Sequence, residues 1–183
     1  MSPETEYMER RLYEAAKGGR VDEVEEILRN NPDIDVNWEG NLAGYTPLSI
    51  ACSGGHDAIV SMILAHPGVD VNLKNKSGWT AFMVTCNGGK TSCARLLLKD
   101  SRVKVNKPNN DGETPLWFAV FNGGLDIIKW WIASGREMDL GTPEELYKDD
   151  EIWVAMTKGM ALLERFKENP EETRYTTSGA GIP

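Results

Sequence analysis

Between positions 57 and 65 the apolar residues Ile59, Val60, Ile63 and Leu64 fall at i, i+1, i+4 and i+5, the spacing of one buried helix face. Ahead of them Leu48, Ile50, Ala51 and Cys52 form a shorter apolar stretch. Thr46 stands where an N-cap belongs, and Pro47 suits the first helical position, where its missing N–H has no intrahelical partner to lose. Gly54-Gly55 ends this stretch, and Pro67-Gly68 ends the second. Val69-Asp70-Val71-Asn72 then reads as extended chain, and Lys76-Ser77-Gly78 as a turn before the next cap. The pattern predicts a short helix, a turn, a second helix and a protruding hairpin.

That unit recurs. Gly44-Tyr45-Thr46-Pro47-Leu48, Gly78-Trp79-Thr80-Ala81-Phe82 and Gly112-Glu113-Thr114-Pro115-Leu116 lie 34 residues apart. Independent landmarks keep nearly the same spacing: Val36-Asn37, Val71-Asn72 and Val105-Asn106, and the pairs Gly18-Gly19, Gly54-Gly55, Gly88-Gly89 and Gly123-Gly124. A fixed period of this length means a stack of supersecondary units, each burying its apolar face against the next.

On these residues the chain resembles the ankyrin-repeat family, whose turn, Thr-Pro-Leu, paired helices and period of about 33 match. The resemblance covers residues 8–135 and implies an all-α repeat solenoid, in which stacked helix-turn-helix units carry protruding β-hairpin loops. Local departures are Ala81 in place of the proline, Thr85 in place of the first-helix alanine, and one extra residue between Asn37 and Thr46. The expected organisation is an N-terminal capping repeat over 1–37, repeats over 38–72, 73–106 and 107–140, a degenerate C-terminal cap over 141–170 and a disordered tail over 171–183. In the capping repeat Leu12, Ala15, Ala16, Val24, Ile27 and Leu28 read as the inner face, with Glu9, Arg10, Arg11, Glu14 and their charged neighbours outside. At the other end Thr142-Pro143-Glu144-Glu145 reads as a capping box. The shortened spacing from Gly159 to Leu162 leaves two compressed helices or one merged helix for the last unit.

Composition narrows the setting. Of 183 residues, 40% are hydrophobic and 26% charged, which are globular proportions. No apolar run reaches the length that crosses a bilayer, the longest being 58–65 and 127–133, so membrane insertion is not expected. The N-terminus lacks the apolar segment of a secretory signal. Three cysteines without metal spacing read as reduced thiols in a cytoplasmic or nuclear protein. With 20 Lys and Arg against 28 Asp and Glu the net charge is −8. That balance argues against nucleic acid and favours a basic or amphipathic protein surface as partner.

Catalytic fragments fail on their context. Gly88-Gly89-Lys90-Thr91-Ser92 lacks the additional glycine that a phosphate-binding loop needs, since position 84 is valine, and it joins two helices instead of following a strand. His56 and His66 are too few and too isolated for metal, and no Cys pair has the C-x-x-C spacing. The resemblance instead gives His56 a backbone-bonding role. Cys52, Cys86 and Cys93 read as small buried hydrophobes. Asn75-Lys76-Ser77 spells a glycosylation sequon, which has meaning only in a secreted chain. The acidic runs 22–26 and 149–151 read as solvated helix faces. No enzyme, no cofactor and no metal is expected.

A surface remains. Tyr45 and Trp79 each sit between a turn glycine and a capping threonine, and Trp117 and Phe121 lie on the first helix of the fourth unit. The resemblance implies that such finger and groove positions contact partners, and the polar neighbours Asn87, Asn110 and Glu113 are expected to form the rim. Trp and Tyr are frequent binding anchors. Stacking of the same aromatics from repeat to repeat is the competing reading. The expected function is a monomeric, non-catalytic protein-binding module. A structural or targeting segment of a larger multidomain protein or enzyme is the alternative.

Overall fold

Helices of seven to ten residues, as all but the first here are, are marginal in isolation, so a chain built from them holds together by packing one against another. The computed structural model describes residues 3–141 and four isolated positions, Ala161, Glu164, Arg165 and Glu168. Among these residues the helices are α1 (Pro3–Lys17), α2 (Val21–Asn30), α3 (Pro47–Gly54), α4 (Asp57–Ala65), α5 (Ala81–Asn87), α6 (Thr91–Lys99), α7 (Pro115–Phe121) and α8 (Leu125–Ala133). They form four helix pairs. The odd-numbered helices stack on one another in one layer and the even-numbered helices in a second. The terminal cap and tail expected beyond 141 lie outside the described residues, apart from the four positions, which are helical and exposed.

Each first helix begins alike. Thr46, Thr80 and Thr114 have extended backbones, and their hydroxyls accept from the backbone N–H of Ser49, Met83 and Trp117. Ala81 replaces the helix-starting proline without loss of the cap. Thr85, fully buried where an alanine was expected, donates its hydroxyl to the Ala81 carbonyl at 2.8 Å, so its polarity is satisfied within the helix. The glycine pairs turn the chain from first to second helix through one repeated bond. The backbone N–H of Arg20, His56, Lys90 and Gly124 reaches back to the carbonyl of Ala15, Ala51, Thr85 and Ala119.

Between the layers runs a continuous apolar core. Leu12, Ile27, Ile59, Ile63, Leu97, Ile127 and Trp131 are each 1% exposed or less. Trp131 of the last pair reaches Phe82 of the pair before it, ring centres 4.9 Å apart and edge to face. The three cysteines are buried and reduced.

The Val-Asn landmarks acquire a physical role. Val36, Val71 and Val105 are buried, while the asparagine after each ties its unit to the next. Asn37 donates to the Gly68 carbonyl and accepts from the Asp70 N–H, both at 2.8 Å. Asn72 does the same with Arg102 and Lys104 at 2.9 and 2.7 Å, and Asn106 accepts from Asp139 at 3.1 Å. The histidines serve the same end. His56 Nε2 lies 3.3 Å from the Lys17 carbonyl and His66 Nε2 lies 3.2 Å from the Pro32 carbonyl, each on the preceding unit.

One residue of the first unit departs from its expected position. Glu9, read as part of the outer polar face, is only 1% exposed. Burial raises its pKa, the Asp35 and Glu6 carboxylates raise it further, and a hydrogen bond from the Asp35 backbone pulls the other way.

Candidate interaction surface

The fingers between units are turns fixed by asparagine. Asn41 Oδ1 accepts from the N–H groups of Ala43 and Tyr45, Asn75 Oδ1 from Ser77 and Trp79, and Asn109 Oδ1 from Asp111 and Glu113. Two backbone bonds close each finger: Gly40, Asn75 and Asn109 donate to the carbonyls of Tyr45, Trp79 and Glu113, and Gly44, Gly78 and Gly112 donate to those of Asn41, Asn75 and Asn109. The pairing ends there, and among the described residues no finger extends into a strand.

Neighbouring fingers are joined at their tips. The Lys76 N–H donates to the Ala43 carbonyl at 3.0 Å, and the Asn110 N–H to the Ser77 carbonyl at 3.2 Å. Asn110 adds a side-chain bond to the Lys76 carbonyl at 2.9 Å. Gly78 shows why this contact needs glycine: its φ is 81°, and a Cβ there would stand 2.5 Å from the Asn110 backbone nitrogen. Leu42, Lys76 and Asn110 occupy equivalent tip positions and form a row along the joined fingers. Leu42 is 92% exposed, an apolar side chain held out on a rigid turn. Sequence reading passed over it, although its position one residue after the turn asparagine, matching Lys76 and Asn110, was a usable signal.

The aromatic candidates divide. Trp79 is half-buried, with its ring centre 4.4 Å from Phe118 of the next unit. Phe118 meets Trp117 edge to face at 4.8 Å, and Trp117 lies flat on Phe121 at 5.0 Å with planes 10° apart. Phe118, which the sequence left unmarked, therefore joins three of the expected residues into one string. Trp117 is 5% exposed and belongs to the interior of that string, while Phe121 at its end is 38% exposed. Tyr45 is half-buried on its own finger. Of the polar residues, Asn87 is exposed and accepts from Asn122 Nδ2 at 3.1 Å, and Asn110 is exposed on its tip. Glu113 is buried and accepts from Asn109 Nδ2 at 2.7 Å, so it serves the finger and not a rim.

Charge is partitioned along the stack. Between 73 and 106, Lys74, Lys76, Lys90, Arg95, Lys99, Arg102 and Lys104 stand against Asp100 alone, seven to one and +6. The rest of the chain therefore carries −14 of the overall −8. Asp100 is engaged with Arg102 at 2.7 Å, which holds its carboxyl below the usual range. In the first unit the pairing is internal: Glu23 takes Arg20 at 2.6 Å and Arg11 at 2.8 Å, and both lower its pKa.

Nothing in this arrangement assembles reactive groups. Among the described residues no three His, Cys, Asp or Glu cluster as metal ligands. Burial pushes the Cys86 thiol far above its ordinary range, and a hydrogen bond to Cys93 together with burial raises Cys52. No helix among the described residues is long and apolar enough to cross a membrane.

Comparison with known proteins falls on the same units. A family model described as ankyrin repeats (many copies) matches residues 27–84, and one described as ankyrin repeats (3 copies) matches residues 64–141. Osteoclast-stimulating factor 1 of Xenopus laevis is 36% identical over 72 residues, 39% of this chain and 32% of the relative. The Sus scrofa protein of that name gives the same figures. Transient receptor potential cation channel subfamily A member 1 of Homo sapiens is 38% identical over 53 residues, 29% of this chain and 5% of the channel subunit. The matched stretch is a third or less of each relative's length.

Proposed function

From a chain that carries ankyrin repeats over residues 27–141, a fold of protein-protein interaction modules, we propose a non-catalytic binding module whose partner lies along the joined fingers and the groove beside them. Leu42, Tyr45, Trp79, Asn110, Asn87 and Phe121 make the contact surface, and Trp117 and Glu113 support it from within. The observation that carries this reading is Leu42, 92% exposed on a turn fixed by two hydrogen bonds to Asn41 and by a tip-to-tip bond to the next finger. A rigidly presented apolar side chain loses little conformational freedom on binding. Residues 1–72 hold five basic and thirteen acidic residues, −8 in all, so a basic or amphipathic protein surface is favoured at that end. In this reading the units have boundaries near 37, 72, 106 and 140, and the module acts as a monomer within the cytoplasm or nucleus.

The test uses Leu42→Asp and Phe121→Ala beside Glu25→Ala on the outer face of α2. Proteins retained by the parent chain and by Glu25→Ala, and lost with both finger and groove variants at unchanged melting temperature, support the surface. Retention by all four chains removes it.

A second reading has its own support. Since the matched stretch is a third or less of the relatives' length, the array also fits a targeting or structural segment of a larger protein. Sequencing the natural reading frame beyond Pro183 separates the two.

A further inference from the structure

Apart from the fingers, the strongest surface lies on the second-helix layer around α6. Arg95 and Lys99 are one turn apart on that helix, and a groove lies on each side of them. The groove toward α4 has a volume of ≈ 380 Å³ and is lined by Asp57, Ser61, Ser92, Arg95 and Lys99 among others. The groove toward α8 has ≈ 290 Å³ and is lined by Arg95, Leu98, Lys99, Trp130 and Ser134 among others. The Arg95 guanidinium lies over the Trp130 ring, 4.1 Å from its centre. Arg95 Nε is buried and makes no hydrogen bond, and neither Arg95 nor Lys99 forms an ion pair among the described residues.

Arg95 and Lys99 are like charges at i and i+4 on one helical face, a mildly unfavourable pair that a counter-charge placed between them would relieve. The carboxylates nearby, Asp57 in the groove toward α4 included, form no ion pair with them among the described residues. Asp57 accepts from the Ala58 N–H at the start of α4, and Asp126 on α8 pairs with Lys129 at 3.5 Å. An arginine held over an aromatic ring keeps its charge while its motion is restricted, which suits it to carboxylate recognition.

We propose that the outer face of α6 docks an extended acidic peptide segment of a partner protein. Its carboxylates sit on Arg95 and Lys99, and an apolar side chain between them packs against Trp130 and Leu98. Charge complementarity selects this occupant, since the +6 unit is the one place in the array that attracts an anionic chain. The site is separate from the finger surface, so the two can fail independently.

The test is fluorescence anisotropy of the full chain with a labelled peptide of ten Asp and Glu residues around a central Leu, beside its Asn and Gln counterpart. Saturable binding of the acidic peptide alone is expected, weakened about tenfold between 50 and 300 mM NaCl. Arg95→Gln/Lys99→Gln weakens it about tenfold or more, Lys99→Gln alone by several-fold, and Lys74→Gln/Lys76→Gln, with the same loss of charge on the finger, less than twofold. Lys99 is exposed, so its variant leaves the fold intact. Equal losses in the two double variants would reduce the effect to net charge and overturn the site. Absence of binding, or binding to phosphatidylserine vesicles without the peptide, also overturns it. So does a several-fold gain in affinity on changing Asp149, Asp150 and Glu151 to their amides, because the occupant would then be this chain's own acidic segment.

Discussion

The first and third units are built to one plan and use charge in opposite ways. The first sets its arginines against its own carboxylates and keeps an acidic surplus, five basic to ten acidic residues over 1–37: Glu23 is held by Arg11 and Arg20, while Arg10 and Arg29 sit near Glu6 and Glu25. It also buries a carboxylate, Glu9. The third has one acid for seven cations, and that acid is already taken by Arg102. Where a unit lacks a neighbour its outer face must be polar, and an acidic surplus supplies that. An inner unit has two neighbours to hold it. Its exposed positions are thereby free to carry uncompensated charge, and charge left over after packing is what a partner can read.

The comparison breaks most visibly in the core. Leu97→Ala in the third unit and Leu12→Ala in the first remove equally buried side chains, each a change of about 2–5 kcal/mol. In a stack with nearest-neighbour coupling the inner variant lowers the single main melting transition, whereas the end variant adds an early, separate loss of helix. Circular dichroism melts of the two variants read the difference directly, and identical single transitions would contradict it.

Finger turns come next. Asn75→Ala removes two hydrogen bonds to backbone N–H groups in the second finger and should lower stability by about 1–2 kcal/mol. Asn41→Ala removes the same pair from the preceding finger. Amide exchange should quicken at Ser77 and Trp79 in the one and at Ala43 and Tyr45 in the other.

Within the first unit, two carboxylates titrate with opposite sign. Glu9 has a raised pKa in the fold, so its contribution is present at low pH and lost as pH rises through the folded value. Glu9→Gln should therefore stabilise the chain by about 1 kcal/mol at pH 7, a gain that vanishes toward pH 4. Glu23 has a lowered pKa, so its contribution is present above the unfolded carboxylate range and lost as pH falls through the folded value. Glu23→Gln should cost about 0.2–1 kcal/mol at pH 7, with the difference closing below about pH 4. Melting temperatures across pH 3 to 7 for both variants check both signs.

How far the sequence carried depended on whether a feature was local. The capping threonines, the glycine turns and the Val-Asn bridges repeat every 34 residues or so, and repetition exposes them without any knowledge of contacts. The departures at Ala81 and Thr85 leave the helix intact: the Thr80 cap persists, and the Thr85 hydroxyl is bonded within its own helix. Trp117 was harder: whether it faces solvent depends on Phe118 and on Trp79 from the preceding finger, a meeting that no single-helix pattern encodes. Glu9 was missed for the same reason, since its burial depends on the chain near Asp35 returning beside α1. The partition of charge by unit was legible throughout, and the overall −8 concealed it.

The bridges between units also bear on how such a chain comes off the ribosome. Asn37 reaches forward to residues 68 and 70, Asn110 back to Lys76, and the longest of these ties, from His56 to Lys17, spans 39 positions. Each unit can dock on the one already made as soon as its own residues emerge, with no wait for a distant segment to close the structure. Synthesis and assembly can proceed in one direction at one pace, each unit on the one before it.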